Sequence, residues 1–255
     1  MSKEKTILIT NDDGYEADGL KALIELMRRY GQVVVVAPEV SQSGQSHAIT
    51  IKYPVRLKQL MAEPDFAMYV CTGTPVDCVK IALDKILGKK PDLLLSGINH
   101  GSNSSISAIY SGTIAAAMEG CINDIDSMGF SVTCLSANAD MTAAKKYVQQ
   151  IIDTYMEKGM PKGCCLNVNV PYLPAEKIAG IKMCRQAKGM WVEEFEKRTD
   201  PSHKDYYWLT GNFLNHENDA EDTDEWALKN GYVSVVPLHP DLTHYKALRE
   251  MKKWL

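Results

Sequence analysis

The sequence lacks the features that define several common classes of protein. Its seven cysteines include no CxxC pair, and a chain of 255 residues can build a core without disulfide bonds. The formal net charge of −4 argues against a general nucleic-acid binder, which would present a basic face. The N-terminal MSKEKT leads into only a short apolar run, which is typical of neither a signal peptide nor a transmembrane span. We therefore expect a soluble cytoplasmic protein with reduced thiols.

Three motifs of well-known enzyme and nucleotide-binding classes are also missing. The sequence contains no GxxxxGK[ST] loop, which argues against a P-loop ATPase, and no GxGxxG after its first apolar run, which argues against a standard dinucleotide fold. It contains no GxSxG nucleophile elbow either. Any chemistry must therefore come from other loops.

Short apolar runs alternate with segments of helical spacing through the first two thirds of the chain. The predicted strands are TILIT (6–10), VVVVA (33–37), DLLLSG (92–97), SVTCLS (131–136) and CLNVNV (165–170). The predicted helices cover 20–27, 75–87, 113–121 and 140–157. Continuous β-rich runs suit parallel strands that are buried on both faces, and their alternation with helices predicts an α/β protein with a doubly wound, mostly parallel sheet. Its ligands should bind at the carboxyl ends of the strands.

The last third of the chain has a different texture. Residues 193–229 are rich in charge and aromatic side chains and show no clear period. The acidic run 217–225 predicts a solvated loop. The aromatic triplet 206–208 predicts a strand or hairpin that packs on another surface, such as a second subunit.

These patterns suggest how the chain is organised. We expect residues 1–255 to form a single α/β domain, in which the arm at 185–230 serves oligomerisation. GYVSVVPLHP (231–240) predicts a strand that returns to the core, and 241–255 a closing amphipathic helix.

Two adjacent carboxylates, Asp12 and Asp13, follow the first predicted strand. One of them is explained by an N-cap of the next helix, but the second is not. Neighbouring like charges repel and raise each other's pKa unless a cation is present. A hard divalent cation such as Mg²⁺ or Mn²⁺ prefers oxygen ligands of this kind. The pair alone leaves both the helix cap and the metal site open.

Two further loops carry polar residues with two interpretations each. The loop 37–50 supplies Ser43 and other small polar side chains, although a simple polar turn explains it as well. In CTGTPVDCV (71–79), the start of a helix after Gly73 could seat an anion, while Asp77 could instead complement the helix dipole.

The third predicted strand and the helix after it add a fourth polar region. Asn99 follows this strand between two glycines, and Ser111-Gly112-Thr113 opens an alanine-rich helix. That helix start suits phosphate oxygens, although the two hydroxyl residues also suit a simple N-cap. His100 is more typical of a surface or hydrogen-bonded histidine than of a catalyst.

The four loops converge on one edge of the predicted sheet. Each of them carries small or oxygen-bearing residues, which together would build an anion site around a hard cation. This arrangement suits hydrolysis of a phosphate ester.

Five long motifs occur together in this order: ITNDDGYEADGL, VVAPEVSQSGQSHAIT, TGTPVDCVKIAL, LLLSGINHGSN and YSGTIAAAMEG. They resemble the SurE family of stationary-phase survival proteins, densely over residues 6–135 and more thinly after them. The resemblance implies a metal-dependent phosphatase for nucleoside 5′- and 3′-monophosphates, and some members of the family also cleave short polyphosphate. It further implies a Rossmann-like fold with a C-terminal extension exchanged between subunits of a homodimer or homotetramer.

The resemblance also assigns roles to individual residues. One divalent metal, Mg²⁺ or Mn²⁺, would be bound by Asp12, Asp13, Ser43 and Asn99. The two aspartates would also be the catalytic residues. Substrate or phosphate contacts would come from Asn11, Asn103, Ser111, Gly112 and Thr113.

One loop departs from the family pattern. In GSNSSISAIYSGT, Ser105 replaces an expected glycine, and Ser107 and Ala108 stand where acidic or bulkier residues are common. This departure puts substrate preference in doubt but leaves the metal ligands intact. Two other interpretations remain open at this point: a nucleotide sensor that does not turn over, and an oligomeric scaffold that acts through the arm.

Overall fold

The computed structural model of the protein describes residues 5–254. Residues 1–4, at the N-terminus where no signal peptide is expected, lie outside the described residues. The same holds for residue 255, the last position of the predicted C-terminal helix.

The described residues contain thirteen strands and seven α-helices. The strands are β1 (Lys5–Thr10), β2 (Gly31–Pro38), β3 (Leu57–Glu63), β4 (Phe66–Cys71), β5 (Leu93–His100), β6 (Ser127–Val132), β7 (Cys165–Val170), β8 (Gly180–Met183), β9 (Gly189–Val192), β10 (Phe195–Thr199), β11 (Asp205–Leu209), β12 (Asn212–Asn215) and β13 (Tyr232–Leu238). The α-helices are α1 (Asp18–Met27), α2 (Pro75–Ile81), α3 (Ser107–Tyr110), α4 (Gly112–Ile122), α5 (Thr142–Lys158), α6 (Asp224–Lys229) and α7 (Tyr245–Met251). A π-helical turn, Ala82–Ile86, extends α2, and a 3₁₀ turn spans Ala175–Lys177.

A nine-stranded sheet forms the centre of the fold, in the order β3-β4-β2-β1-β5-β6-β7-β13-β8. Neighbouring strands run parallel except for the pairs β3–β4 and β7–β13. The predicted fold class, an α/β protein with a doubly wound and mostly parallel sheet, is confirmed. Strands β2 and β5 flank β1 on opposite sides, so the strand order reverses there, and ligands bind preferentially at such a point.

Some strand predictions were wrong in their bounds or were missed. The strand placed at 131–136 lies earlier, since β6 already ends at Val132. Strands β3 and β4 were not predicted. β3 is an edge strand whose sequence LKQLMAE is largely exposed, so it shows no continuous apolar run.

Helices cover both faces of the sheet because successive side chains of each strand point in opposite directions. Ile7 and Ile9 pack in the cluster that contains residues of α1 and α5. Leu8, between them, packs in the cluster that contains residues of α2 and α4. The sheet is therefore buried on both faces, and its strand ends are the place where a pocket can open.

A bulge shapes the end of β5. Between Ser96 and Asn99, β5 carries one residue more than the facing stretch of β6. Gly97 in this bulge has a φ of +126°, and a Cβ there would lie 2.4 Å from the carbonyl oxygen of Phe130. Only glycine fits this position, and the bulge sets the direction in which Asn99 leaves the strand.

The arm at 185–230 forms two small antiparallel sheets, β9 with β12 and β10 with β11. The predicted strand or hairpin at 206–208 is confirmed, since these residues lie in β11. The prediction that 217–225 is a solvated loop was wrong for Asp224. This residue begins α6 and is fully buried, because its carboxylate accepts hydrogen bonds from the backbone N–H groups of Ser105 and Ala187.

The remaining C-terminal elements lie against and beyond the sheet. The segment 231–240, predicted to return to the core, contains β13, which pairs with β7 and β8. The segment predicted as a closing helix contains α7.

All seven cysteines are unpaired thiols. Among residues 5–254, no helix combines the length and apolar character needed to cross a membrane.

Candidate active site

A pocket of about 660 Å³ opens at the carboxyl ends of the central strands. Its inner wall carries residues from the loops after β1, β2 and β5 and from the start of α4. Five predicted site residues line it: Asp12, Ser43, Asn99, Asn103 and Ser111. The structure therefore brings together side chains that are far apart in sequence, at the edge where parallel strands present their ligands.

Asp12 lies at the floor of this pocket and is only 4% exposed. Burial, assisted by the charge of Asp13, raises the pKa of Asp12 to about 6, while a hydrogen bond from the hydroxyl of Thr113 to Oδ1 opposes this rise. Within residues 5–254, neither aspartate forms a salt bridge with a lysine or an arginine, and Asp13 contacts the ring of His100. A buried carboxylate without a cation beside it is unfavourable, so a bound cation would stabilise the ionised form of Asp12.

Asp13 is held by His100. Its Oδ2 accepts a hydrogen bond from the backbone N–H of His100 at 3.0 Å and lies 3.1 Å from the Nδ1 of the same residue. The expectation of a hydrogen-bonded histidine is thus met. The ring's other nitrogen, Nε2, is buried and has no hydrogen-bond partner among the described residues.

The helix-cap explanation of the aspartate pair does not hold. Helix α1 begins only at Asp18, and its N-cap is Ala17, whose side chain makes no capping hydrogen bond. Neither Asp12 nor Asp13 therefore caps this helix. The metal-site interpretation of the pair stays a prediction.

Asn99 and Ser43 line the pocket together with Asp12, whereas Asp13 lies behind the lining. The Nδ2 of Asn99 donates a hydrogen bond to the carbonyl oxygen of Gly101 at 2.7 Å, which leaves its Oδ1 available as an acceptor. The hydroxyl of Ser43 lies 3.0 Å from that of Ser41 and faces the same pocket. Two carboxylates, one amide oxygen and one hydroxyl are ligand types that Mg²⁺ and Mn²⁺ accept.

These residues fit a hard cation better than a soft one. In the described part of the chain, no group of three or more His, Cys, Asp or Glu side chains is arranged to hold a metal ion. The candidate site has two carboxylates and relies on neutral oxygens for its other protein ligands. Such a set resembles a Mg²⁺ site, which uses one or two carboxylates and keeps several waters, more than a Zn²⁺ site.

The first turn of α4 supplies donors for an anion. Its N-cap is Ser111, whose Oγ accepts a hydrogen bond from the N–H of Ile114 at 3.1 Å. The N–H groups of Gly112 and Thr113 have no partner within the helix and form its positive end. Gly112 packs directly on Asp12, since a Cβ there would lie 2.8 Å from the Cβ of Asp12. An anion bound by α4 would therefore lie beside a cation bound by Asp12.

Thr113 has a different position from the one expected. We assigned it to phosphate binding, but its side chain is fully buried and its hydroxyl donates to Asp12. Its backbone N–H also points at the carboxylate of Asp12 and lowers the pKa of that group, so an anion at α4 would share this donor with Asp12. Sequence spacing could not show this, because the hydroxyl belongs to α4 and the carboxylate to the loop after β1.

Asn11 and Asn103 are held by hydrogen bonds inside the protein. The Nδ2 of Asn11 donates to the carbonyl oxygen of Gly14 at 2.8 Å, so Asn11 shapes the turn that carries the aspartates and does not line the pocket. The Nδ2 of Asn103 donates to the hydroxyl of Ser131 at 2.8 Å, and its backbone N–H donates to Asn169 at 2.8 Å. Asn103 does line the pocket, with one Nδ2 hydrogen still free for a ligand.

The start of α2 is closed to an anion. The side chain of Thr74 accepts from the N–H of Asp77 at 3.1 Å, and Asp77 accepts from the N–H of Thr74 at 2.9 Å. Asp77 also accepts from the N–H of Thr50 at 3.1 Å. This capping box uses the donors that an anion would need, so Asp77 complements the helix end.

The outer wall of the pocket was missed by the sequence reasoning. Trp191, Glu194, Leu209 and Thr210 line it, and all four belong to the arm that we assigned to subunit contacts. The ring of Trp191 packs edge-on against Phe213, with centroids 5.9 Å apart. The only signal in the sequence was the aromatic content of the arm, which does not show where the arm folds.

Fold and pocket together define a class of protein. It is a doubly wound α/β protein with a polar pocket at the carboxyl ends of its strands, where the strand order reverses. The family model described as Survival protein SurE matches residues 7–193, well over half of the chain. The chain belongs to the SurE family, which confirms the resemblance drawn from its motifs.

Relatives and a solved structure agree with this assignment. A Flavobacterium psychrophilum protein named 5′-nucleotidase SurE is 52% identical over 255 residues, covering 100% of this chain and 98% of that protein. A Chlorobaculum tepidum protein of the same name is 43% identical, covering 97% of this chain and 94% of that protein. The crystal structure of SurE protein from Aquifex aeolicus superposes with a TM-score of 0.83 at 42% identity, covering 98% of this chain and 99% of that chain.

Proposed function

We propose that this protein is a phosphomonoesterase that hydrolyses nucleoside 5′-monophosphates to nucleoside and phosphate. The names of its relatives support this activity. The observation that carries the proposal is the buried carboxylate of Asp12, which forms no salt bridge with any of the described residues and lies against the N-terminus of α4. A cation and a phosphate group would satisfy both features at once. The pocket volume of about 660 Å³ lies in the range of small-molecule sites.

The proposed cofactor is one divalent cation, Mg²⁺ or Mn²⁺, held by Asp12, Asp13, Ser43 and Asn99. Such an ion, when bound, neutralises charge on the phosphate and lowers the pKa of water. The protein's contribution is to keep these oxygens in place. His100 fixes the carboxylate of Asp13, and Thr113 fixes that of Asp12.

The remaining steps belong to the residues of the chain. The N–H groups of Gly112 and Thr113, together with the hydroxyl of Ser111, would bind phosphoryl oxygens and stabilise the charge that develops on them. A carboxylate of the Asp12–Asp13 pair would accept the proton of the attacking water.

Substrate range follows from the charges of the pocket. None of the described residues that line it is a lysine or an arginine, whereas Asp12 and Glu194 are acidic. One phosphate group is served by the cation and by α4, but further phosphates would find no positive side chain. We therefore expect monophosphates to be the better substrates, with 3′-monophosphates and short polyphosphate as secondary ones.

A substrate panel tests the proposal. Phosphate release would be measured for 5′-AMP, 3′-AMP, short polyphosphate and a sugar phosphate, each with Mg²⁺ and with Mn²⁺. The proposal expects the highest kcat/KM for a nucleoside 5′-monophosphate. Calorimetric binding of 5′-AMP without any phosphate release would instead identify a nucleotide sensor.

We also propose that the protein assembles as a homodimer or homotetramer through its arm. The hairpin of β10 and β11 pairs with no other strand in the described structure, and an isolated two-stranded hairpin is barely stable in water. Phe195, Tyr207 and Leu209 on this hairpin are more than half exposed. A second subunit that covers these side chains would stabilise the hairpin.

The free cysteines suit the reducing cytoplasm, which we propose as the location of the protein.

A further inference from the structure

The pocket has two walls of different chemistry. Its inner wall presents carboxylate, amide and hydroxyl groups and the N-terminus of α4. Its outer wall presents the ring of Trp191 and the side chain of Leu209, both from the arm. A ligand whose phosphate occupies the inner site would extend towards these apolar groups.

Trp191 offers a flat surface in a defined orientation. Its side chain is partly buried, and Phe213 packs edge-on against it with an angle of 63° between the rings. Side chains of this kind stack on nucleobases, since every base has a planar π face. Among the described residues, no lysine or arginine lines the pocket, which also favours a neutral group at this wall over a second anion.

A buried carboxylate ties the arm to the loop that follows β5. The Oδ2 of Asp224 accepts from the backbone N–H of Ser105 at 2.8 Å, and its Oδ1 accepts from the N–H of Ala187 at 2.9 Å. Ala187 is followed closely by β9, which carries Trp191. The loop after β5, which carries Ser105, also carries Asn103, and Asn103 lines the inner wall. Asp224 therefore links the two walls of the pocket.

Ser105 adds a second link and accounts for the departure of this loop from the family pattern. Its φ is +51°, a conformation that glycine adopts most easily. The side chain is fully buried, and its hydroxyl donates a hydrogen bond to the carbonyl oxygen of Ala187 at 2.9 Å. Glycine at this position would relieve the backbone strain but would lose this bond to the arm.

We propose that Trp191 is the stacking platform for the nucleobase of the substrate. In this proposal Ser105 and Asp224 are positioning residues, which hold strand β9, and with it Trp191, over the pocket. The inference rests on the proposed nucleotidase function. It adds a base-binding surface and explains how the arm is fixed to the site.

The first test compares two substrates that differ only in the base. Ribose 5-phosphate carries the sugar and phosphate of 5′-AMP without adenine. Trp191→Ala should raise the KM for 5′-AMP about tenfold or more, because the binding free energy of one stacked base corresponds to a factor of this size in affinity. The kinetics on ribose 5-phosphate, which has no base, should be unchanged. Trp191→Phe should retain most of the affinity. Trp208→Ala is the matched control, because Trp208 lies on the same arm, is 56% exposed and does not line the pocket.

A binding measurement tests the platform without turnover. The chain has four tryptophans. Addition of 5′-AMP or adenosine should quench part of the tryptophan fluorescence of the wild type and of Trp208→Phe, and this quenching should be absent in Trp191→Phe. Equal quenching in all three proteins would overturn the assignment of the base to Trp191.

The positioning role of Ser105 is tested with two variants. Ser105→Ala loses the hydroxyl and keeps the strained backbone, whereas Ser105→Gly loses the hydroxyl and relieves the strain. Both should raise the KM for 5′-AMP by a similar factor of several-fold and spare ribose 5-phosphate, although only Ser105→Ala should lower the Tm. A contradicting result would be that Ser105→Ala alone raises the KM and lowers the Tm, while Ser105→Gly has the KM of the wild type. The hydroxyl would then stabilise the loop without positioning Trp191.

These outcomes separate the inference from the proposed function. If the wild type hydrolyses neither substrate, the proposed function is wrong, and the fluorescence measurement still decides the base site. If the wild type hydrolyses 5′-AMP and Trp191→Ala does so with unchanged KM, the function stands and the inference is overturned.

Discussion

At the scale of single residues, the site depends on a carboxylate that is almost entirely buried. Asp12 has a pKa of about 6 because it is buried and has Asp13 beside it. The hydroxyl of Thr113 compensates only in part. Such a group is unfavourable in the folded protein whenever it is ionised and no cation is bound. The residue that we propose as a cation ligand is therefore also one that destabilises the metal-free protein.

The raised pKa of Asp12 predicts a pH-dependent loss of stability in the metal-free protein. The folded-state pKa of about 6 lies above the ordinary 3.8, so the folded state binds more protons than the unfolded state between these values. The stabilising contribution of the protonated form is complete below pH 3.8 and is lost as the pH rises through 6. The free energy of unfolding of the metal-free protein therefore falls by about 3 kcal/mol at most as Asp12 becomes ionised.

Asp12→Asn removes this ionisation while keeping the shape of the side chain. In a chelator at pH 8, the variant should therefore unfold at a higher temperature than the wild type, and the gap should shrink at pH 5. Thermal unfolding at the two pH values is the measurement. Added Mn²⁺ should then raise the Tm of the wild type alone. If the variant were less stable than the wild type at pH 8, ionised Asp12 would not destabilise the metal-free protein.

At the scale of secondary-structure elements, the strand ends and the start of α4 build the inner wall. This part could be predicted from the sequence, because parallel strands show as apolar runs and their polar ends meet at one edge. Ser43 and Asn99 were placed near Asp12 on that basis. The partner of Thr113 could not be predicted, since it depends on how closely α4 packs on the loop after β1.

The contact between Gly112 and Asp12 gives a prediction at this scale. A Cβ at position 112 would lie 2.8 Å from the Cβ of Asp12 and 3.1 Å from the Cγ of Pro75, so Asp12 would have to move. Gly112→Ala should lower kcat/KM for 5′-AMP by about 10–100-fold, because displacement of a ligand by a fraction of an ångström disturbs the geometry of the reaction. The helix itself should not be destabilised, since alanine is the better helix former.

Steady-state kinetics and thermal unfolding of the same sample check this prediction. The expected pair of results is a large loss of activity and a modest fall in Tm, since the added methyl group overpacks a buried contact while the protein stays folded at the assay temperature. Wild-type kcat/KM in Gly112→Ala would mean that α4 and Asp12 are not tightly coupled.

At the scale of the whole molecule, the arm completes the pocket that the sheet begins. Its position could not be predicted, because no local pattern in residues 185–230 indicates that β9 pairs with β12 or that Asp224 reaches Ser105. The acidic run looked solvated, although one of its carboxylates is buried against two backbone N–H groups. Local periodicity predicts elements, but contacts between distant segments depend on the fold as a whole.

The exposed hairpin of β10 and β11 gives a prediction at this scale. Replacement of residues 195–209 by a short glycine linker should convert the proposed oligomer to a monomer, since this removes the exposed apolar side chains of the arm. Light scattering after gel filtration measures the mass. The Trp191→Ala variant, whose substitution lies in β9 outside this hairpin, should remain assembled. An unchanged mass on removal of the hairpin would place the subunit contact elsewhere.

The most direct test of the central claim measures phosphate release from 5′-AMP in the same preparation before and after chelation. The wild type should be active with Mn²⁺ or Mg²⁺, should lose that activity in excess chelator and should regain it when the metal is restored. Asp12→Asn should be inactive throughout, at least 100-fold below the wild type by an order-of-magnitude expectation for loss of a group central to the reaction. Equal rates in the wild type, the chelated wild type and Asp12→Asn would contradict a metal-dependent nucleotidase at this site.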